Sequence, residues 1–263
     1  LPSDTFDILT AYAQPLPVRI IARLLGVPEA MAPDLLHWSN TMVAMYQAGR
    51  TRAVEEAANT AAAEFADFLR GYVKERRSRP EDDLITHLIA AEEDGEKLST
   101  DELITTCILL LNAGHEATVH TMGNGLATML ALDLRDIDAA VIEEIMRYDP
   151  PLHIFTRWIY EDMDVAGTTL RKGEQIACLL GAANRDPKVF AEPGRFDPTR
   201  DAKKHVAFGA GLHFCVGAPL ARLELLVGLR ALMDALPTLS LAEPPVYGDT
   251  YHFHGLERLM VSR

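Results

Sequence analysis

The sequence predicts a mainly α-helical chain with a small antiparallel β region, and three observations carry that expectation. Apolar residues recur three and four apart through positions 1–150. After the break at Asp149-Pro150-Pro151 the pattern changes to alternation, with turn signals at Ala166-Gly167 and Lys172-Gly173. A last apolar helix then follows a glycine-rich loop at 208–217.

From Asp4 to about Arg79 the pattern is helical with no strand signal. Val18, Ile21, Leu24 and Leu25 share a face, and Val54 to Arg77 is a long Ala- and Glu-rich amphipathic stretch. Pro80-Glu-Asp-Asp83 precedes another helix. Ser99 or Thr100 caps the longest one, with Asp101 and Glu102 in its first turn. It is expected from about Asp101 to Leu132 and, being apolar on nearly all sides, to cross the interior. Its middle carries Asn112-Ala-Gly-His-Glu-Ala-Thr118, a polar, glycine-containing segment that conflicts locally with a buried helix, as functional sites often do. A shorter helix, Ile137 to Tyr148, ends before the prolines, because a residue preceding proline is pushed out of helical conformation. Positions 184–205 hold the turn signals Asp186-Pro187, Glu192-Pro193-Gly194 and Asp197-Pro198 and read as a wrapping loop. Ala218 to Ala235 is helical and a short strand region closes the chain. One domain is expected: helical over 1–150, mixed strand and loop over 151–207, loop and helix over 208–235, strands over 236–263.

With 263 residues, 48% of them hydrophobic, the chain can bury a sizeable core. A net charge of -13, from 38 acidic and 25 basic residues, argues against nucleic acid, whose phosphates would be repelled. No apolar run approaches the roughly 20 residues of a membrane helix, and Leu1-Pro-Ser-Asp4 has no leader-like pattern, so the chain reads as soluble and cytoplasmic, with no membrane partner. Cys107, Cys178 and Cys215 are odd in number and widely spaced, which fits a reducing compartment and leaves room for one special thiol.

The segment Phe208-Gly-Ala-Gly-Leu-His-Phe-Cys-Val-Gly217 places Cys215 just before a helix N-terminus, where loop amides and the positive helix end favour a thiolate, the form a soft metal requires. The glycines let a flat cofactor approach the backbone. The plainer alternative is a buried free cysteine in a tight turn. A dinucleotide fingerprint is rejected, because Phe214 stands where the third glycine would be and no clear strand feeds the loop.

These residues resemble the haem-ligand signature of the cytochrome P450 family in Phe208, Gly211, His213, Cys215 and Gly217, and Ala218-Pro-Leu-Ala-Arg-Leu-Glu224 resembles its soluble bacterial branch. The resemblance implies a P450-like fold, with Cys215 as axial ligand of a haem b iron and His213 on a propionate. Glu144-Ile-Met-Arg147, by itself an ordinary surface pair, resembles the family's Glu-x-x-Arg motif, which implies a structural network completed by Arg195. Arg157 resembles the strand arginine that pairs with a propionate; its plain reading is an edge-strand charge. Ala113-Gly-His-Glu-Ala-Thr118 resembles the oxygen-binding segment: Ala113 and Gly114 make room beside the haem, and Glu116 is the acid of proton delivery. The usual alcohol position holds Ala117, and the hydroxyl comes at Thr118, rotated by about 100 degrees. His115 and His120, five apart, are not a helical zinc pair and read as packing or hydrogen-bonding residues.

The resemblance runs from Leu16 to the C-terminus. It implies a longer N-terminal portion ahead of residue 1 and a fuller helix and connection between Leu130 and Ile137, so either the sequence omits segments of a longer protein or the protein is a truncated copy. The implied function is a haem-thiolate monooxygenase inserting one oxygen atom from O2 into a small organic substrate, lined by Leu152, His153 and Phe155. NAD(P)H would supply electrons through ferredoxin reductase and ferredoxin, steered by basic residues such as Arg222, and a homodimer is a fitting assembly for a shortened chain. The alternatives are a degenerate P450-like scaffold with a structural or partner role and a peroxide-using haem enzyme.

Overall fold

The computed structural model describes residues 4–47, 49–93, 98–249 and 253–263, so Leu1 to Ser3, read above for a leader, lie outside the described residues. The chain enters through a strand, β1 (Thr5–Asp7), and a π-helical turn, Leu9–Ala13. This corrects the expectation of helix from Asp4 onward. β1 pairs antiparallel with the last strand, Phe6 opposite Val261, so it owes its conformation to a template at the other end of the chain, which local periodicity does not register.

Helices follow in order: α1 (Pro15–Leu25), α2 (Ala32–Val43), α3 (Arg52–Ser78), α4 (Leu84–Glu93), α5 (Thr100–Ala131) and α6 (Ala139–Tyr148). Their starts are written locally. Prolines occupy the first turn of α1, where a missing N–H costs nothing. Ser99 and Glu102 form a reciprocal capping box on α5, and the Asp138 carboxylate caps α6 through the amides of Ala140 and Val141. Gly26 ends α1 in the left-handed conformation at φ 83°, and a side chain there would run into Asp83.

Beyond α6 come β2 (Ile154–Trp158), β3 (Met163–Val165), β4 (Thr168–Leu170) and β5 (Gln175–Leu179), paired β2 with β5 and β3 with β4. The expected single sheet is thus two separate ladders, with Ala166-Gly167 turning the inner one. A four-residue helix α7 (Leu180–Ala183) leads into the wrapping loop, and α8 (Ala218–Ala235) follows the cysteine loop. The closing strands are β6 (Ser240–Leu241), β7 (Val246–Tyr247), β8 (Leu256–Arg258) and β9 (Met260–Ser262). Among the described residues no helix is long and apolar enough to cross a membrane.

Two apolar cores form. One gathers α1 to α4 around Leu25, Leu35, Phe65, Leu69 and Ile85; the other packs α6, α8 and the closing strands around Met122, Ile145, Leu229 and Val261. Each fully buried Leu, Ile or Phe contributes roughly 1.5–3 kcal/mol. Helix α5 belongs to both: Leu103, Ile104, Cys107 and Leu111 enter the first core, and Val119, Met122, Leu126 and Met129 the second. The polar segment 113–118 therefore sits where the two cores meet.

Candidate active site

Helix α8 packs on α5 and α6, which fixes the loop that precedes it. Within that loop Gly209 and Gly211 both take φ 70°, a conformation that a side chain would strain. The Cys215 amide donates to the Phe208 carbonyl at 3.0 Å, closing the loop, and the cysteine is left exposed. Around it Leu212 is 95%, Val216 86% and Phe214 50% exposed, an apolar rim on an otherwise charged chain.

The base of the loop is clamped from below. The Phe208 ring lies 5.9 Å from the His205 ring and 4.6 Å from the Arg222 guanidinium. His205 accepts the Ala207 amide at Nδ1, which leaves Nε2–H to donate to Glu143 at 3.1 Å, and Arg222 donates to the same carboxylate. Burial would push the Glu143 carboxyl up, but its bonds to His205 and Arg222 outweigh this and hold it down at about 2. Arg222, expected to help steer a partner, is thus paired with Glu143 while 35% of its side chain stays exposed.

One residue along α6, Glu144 and Arg147 are fully buried and joined by two hydrogen bonds of 2.7 Å. Arg147 also donates to the carbonyls of Asn184, Pro193 and Arg195 at 3.0, 2.9 and 3.1 Å, tying the wrapping loop to the helix. The third member of this network is Arg200, whose Nε donates to Glu144 Oε1 at 3.1 Å. The expected Arg195 contributes only its carbonyl. Its side chain is 66% exposed and faces Glu192. The two arginines lie five apart in one turn-rich loop, and the turn at Asp197-Pro198, not sequence distance, selects which guanidinium swings inward.

On α5, Ala113 is exposed, Gly114, Glu116, Ala117 and His120 are half-buried, and His115 and Thr118 are buried. Glu116 is hydrogen-bonded to His120 Nε2 at 3.0 Å. Burial raises its carboxyl, but the His120 bond and the nearby imidazoles bring it below the usual carboxylate range. The Thr118 hydroxyl donates back to the Gly114 carbonyl at 2.8 Å. Thr118, one residue beyond the customary alcohol position, is buried with its hydroxyl's proton committed to the helix backbone.

Arg157 and His213 are both exposed, on β2 and in the cysteine loop, with Arg157 folded over the Phe155 ring at 4.8 Å. A single exposed thiol, left-handed glycines without side chains, an apolar rim and two outlying basic residues are the donor set that a flat apolar macrocycle with anionic edges requires. The residues present fit a haem. Sequence reasoning missed Arg200, Glu143 and His205; the turn at Asp197-Pro198 and the pairing of acids at 143 and 144 were the signals available.

Comparison with known proteins agrees with this geometry. The cytochrome P450 family model matches residues 29–133 and 137–237. The biotin biosynthesis cytochrome P450 of Bacillus subtilis is 35% identical over 97% of this chain and 67% of its own length. The 6-deoxyerythronolide B hydroxylase of Saccharopolyspora erythraea is 39% identical over 98% of this chain and 66% of its own. The crystal structure of P450BioI with an acyl carrier protein carrying hexadec-9Z-enoic acid superposes at a TM-score of 0.92, with 35% identity, covering 99% of this chain and 69% of that one. The chain thus spans about two thirds of the length of the curated relatives it matches.

Proposed function

The chain belongs to the cytochrome P450 family, and from that premise we propose that it acts as a haem-thiolate monooxygenase, inserting one oxygen atom from O2 into a small organic molecule. The observation that carries the reading is the exposed Cys215, set in a loop turned by two left-handed glycines, whose base is fixed by His205, Arg222 and Glu143. When bound, the haem supplies the oxygen-activating iron. Cys215 would hold the iron through its thiolate, Phe208, Gly211 and Gly217 shape the loop around it, and Arg157 and His213 would hold the propionates. Ala113 is exposed, and Gly114 lies close against the Ile21 side chain, so these two small residues are the part of α5 that could make room beside a haem if Ile21 moved. Glu144, Arg147 and Arg200 keep the wrapping loop in place behind the cysteine.

Glu116 is the group that holds and passes a proton at its carboxylate, in partnership with His120 Nε2. With Ala117 at the customary alcohol position and the Thr118 hydroxyl engaged by Gly114, the remaining hydroxyl has to come from water or from the substrate. Leu152, His153 and Phe155 line the substrate side. NAD(P)H serves through ferredoxin reductase and ferredoxin, which dock on the cysteine face through local basic residues despite the -13 charge of the whole chain.

The test is the absorption spectrum of the dithionite-reduced protein under carbon monoxide, beside Cys215→Ser. A red-shifted Soret band that the substitution abolishes is expected. A spectrum without haem, or a band indifferent to the substitution, overturns the reading.

A further inference from the structure

Away from the cysteine loop, three metal-ligating side chains from separate parts of the sequence meet: Asp149 at the end of α6, His153 just before β2, and His254 just before β8. One donor atom from each lies within 4.8 Å of the other two. Both imidazoles turn Nε2 toward the same carboxylate oxygen, His254 at 3.1 Å and His153 at 3.9 Å from Asp149 Oδ1. We propose that Asp149, His153 and His254 form a binding site for a divalent transition metal of the zinc class, built on the same segment, around His153, that the proposed function places on the substrate side.

The donor chemistry fits. Two imidazole nitrogens and one carboxylate are a set that zinc accepts, with a fourth position left to water.

The ligands are also supported as metal ligands usually are. Tyr247 donates its hydroxyl to the other carboxylate oxygen, Asp149 Oδ2, at 3.2 Å. The same tyrosine stacks on the His254 ring at 4.8 Å, and His254 in turn stacks on His153 at 4.1 Å. The His254 backbone is held on both sides: its amide donates to Pro151 at 2.7 Å and its carbonyl accepts from Asn124 at 3.1 Å. The His153 ring packs on Gly181, where a side chain would come within 3.1 Å of it.

One adjustment is needed. The two rings lie only 17° from parallel, so their Nε2 atoms point side by side. Converging them on an ion at about 2.0–2.1 Å requires a rotation of one ring. His153, the more exposed ring at 39% against 29% for His254, is the one to turn, and turning it gives up its stack on His254. An ion there would join the end of α6, the entry to β2 and the entry to β8.

The test uses the full chain with zinc as titrant in calorimetry and cobalt as a spectroscopic substitute. One zinc per chain is expected. His153→Ala and His254→Ala should each abolish saturable binding at micromolar zinc, and Tyr247→Phe should weaken it by roughly tenfold. Cobalt should give ligand-field bands without a sulfur-to-metal charge-transfer band. Circular dichroism checks that each variant is folded, and Tyr247→Phe removes a single hydroxyl should either alanine variant fail that check. Absence of binding, binding that survives both histidine substitutions, or a thiolate band marking capture by Cys178 or Cys215 would each overturn the proposal.

Discussion

Arg147 grips Glu144 through two hydrogen bonds of 2.7 Å, with neither side chain reaching solvent. A buried charge so paired is tolerated only while its partner is present. Glu144→Ala is therefore expected to cost about 3–5 kcal/mol. Arg200→Met, which removes a charged hydrogen bond to Glu144 and further ones to the carbonyls of Ala191, Glu192 and Arg195, should cost at least about 1.5–3 kcal/mol. Arg195→Met, at an exposed side chain, should stay within about 0.5 kcal/mol. Urea denaturation of the three variants ranks them, and a cost at Arg195 equal to that at Arg200 would contradict the assignment of the inward arginine.

Two glutamates should impose opposite pH dependence. Glu143 falls from an ordinary 4.5 to about 2 on folding, so its contribution is present above 4.5 and is lost as pH drops toward 2. Glu143→Gln should flatten the acid side of the stability curve in that window.

Glu224, in α8, rises from 4.5 to about 7 because it is buried, and its Oε2 has no hydrogen-bond partner among the described residues. Below 4.5 it costs nothing. From there stability is lost as pH rises to about 7. Glu224→Gln should match the parent near pH 4 and exceed it near pH 8, the two values being about half a unit below and one above that window. Thermal unfolding at both values decides it, and a gain confined to acid pH would refute the sign.

His120 holds Glu116 ionised inside the fold. Removing it in His120→Ala leaves a buried carboxylate short of its partner, for a loss of about 1–3 kcal/mol. The Glu116 carboxyl should move upward, visible as a protonated carboxyl band by infrared spectroscopy at a pH where the parent shows none.

Thr118 makes a contrasting case. If its hydroxyl serves only the Gly114 carbonyl, Thr118→Val should leave the ratio of product formed to NAD(P)H consumed unchanged, while Glu116→Gln lowers it. A drop in that ratio for Thr118→Val would restore the threonine to proton delivery.

Legibility in the sequence followed the range of the forces involved. The limits of α5 and α8 were readable to within a residue or two because Ser99, Glu102 and the proline after Ala218 act within one turn. Strand β1 was not, since its partner lies at the opposite terminus. Cys215 and the pair Glu144 and Arg147 were readable as spaced motifs. The choice of Arg200 over Arg195 depended on a loop path, and the meeting of His153 with His254 on a tertiary fold that brings distant segments together.

The attachment of the wrapping loop to α6 has a dynamic consequence. Carbonyls of Asn184, Pro193 and Arg195 and the amide of Asp197 all end on one Glu144 and Arg147 pair, and the Asn184 side chain takes the Val206 amide besides. With so many ties converging on one place, the loop has no way to open piecemeal. The slow amide protons of Asp197 and Val206 should exchange with deuterium together, at one rate set by the release of Arg147, and that rate would report how firmly the ground beneath Cys215 is held.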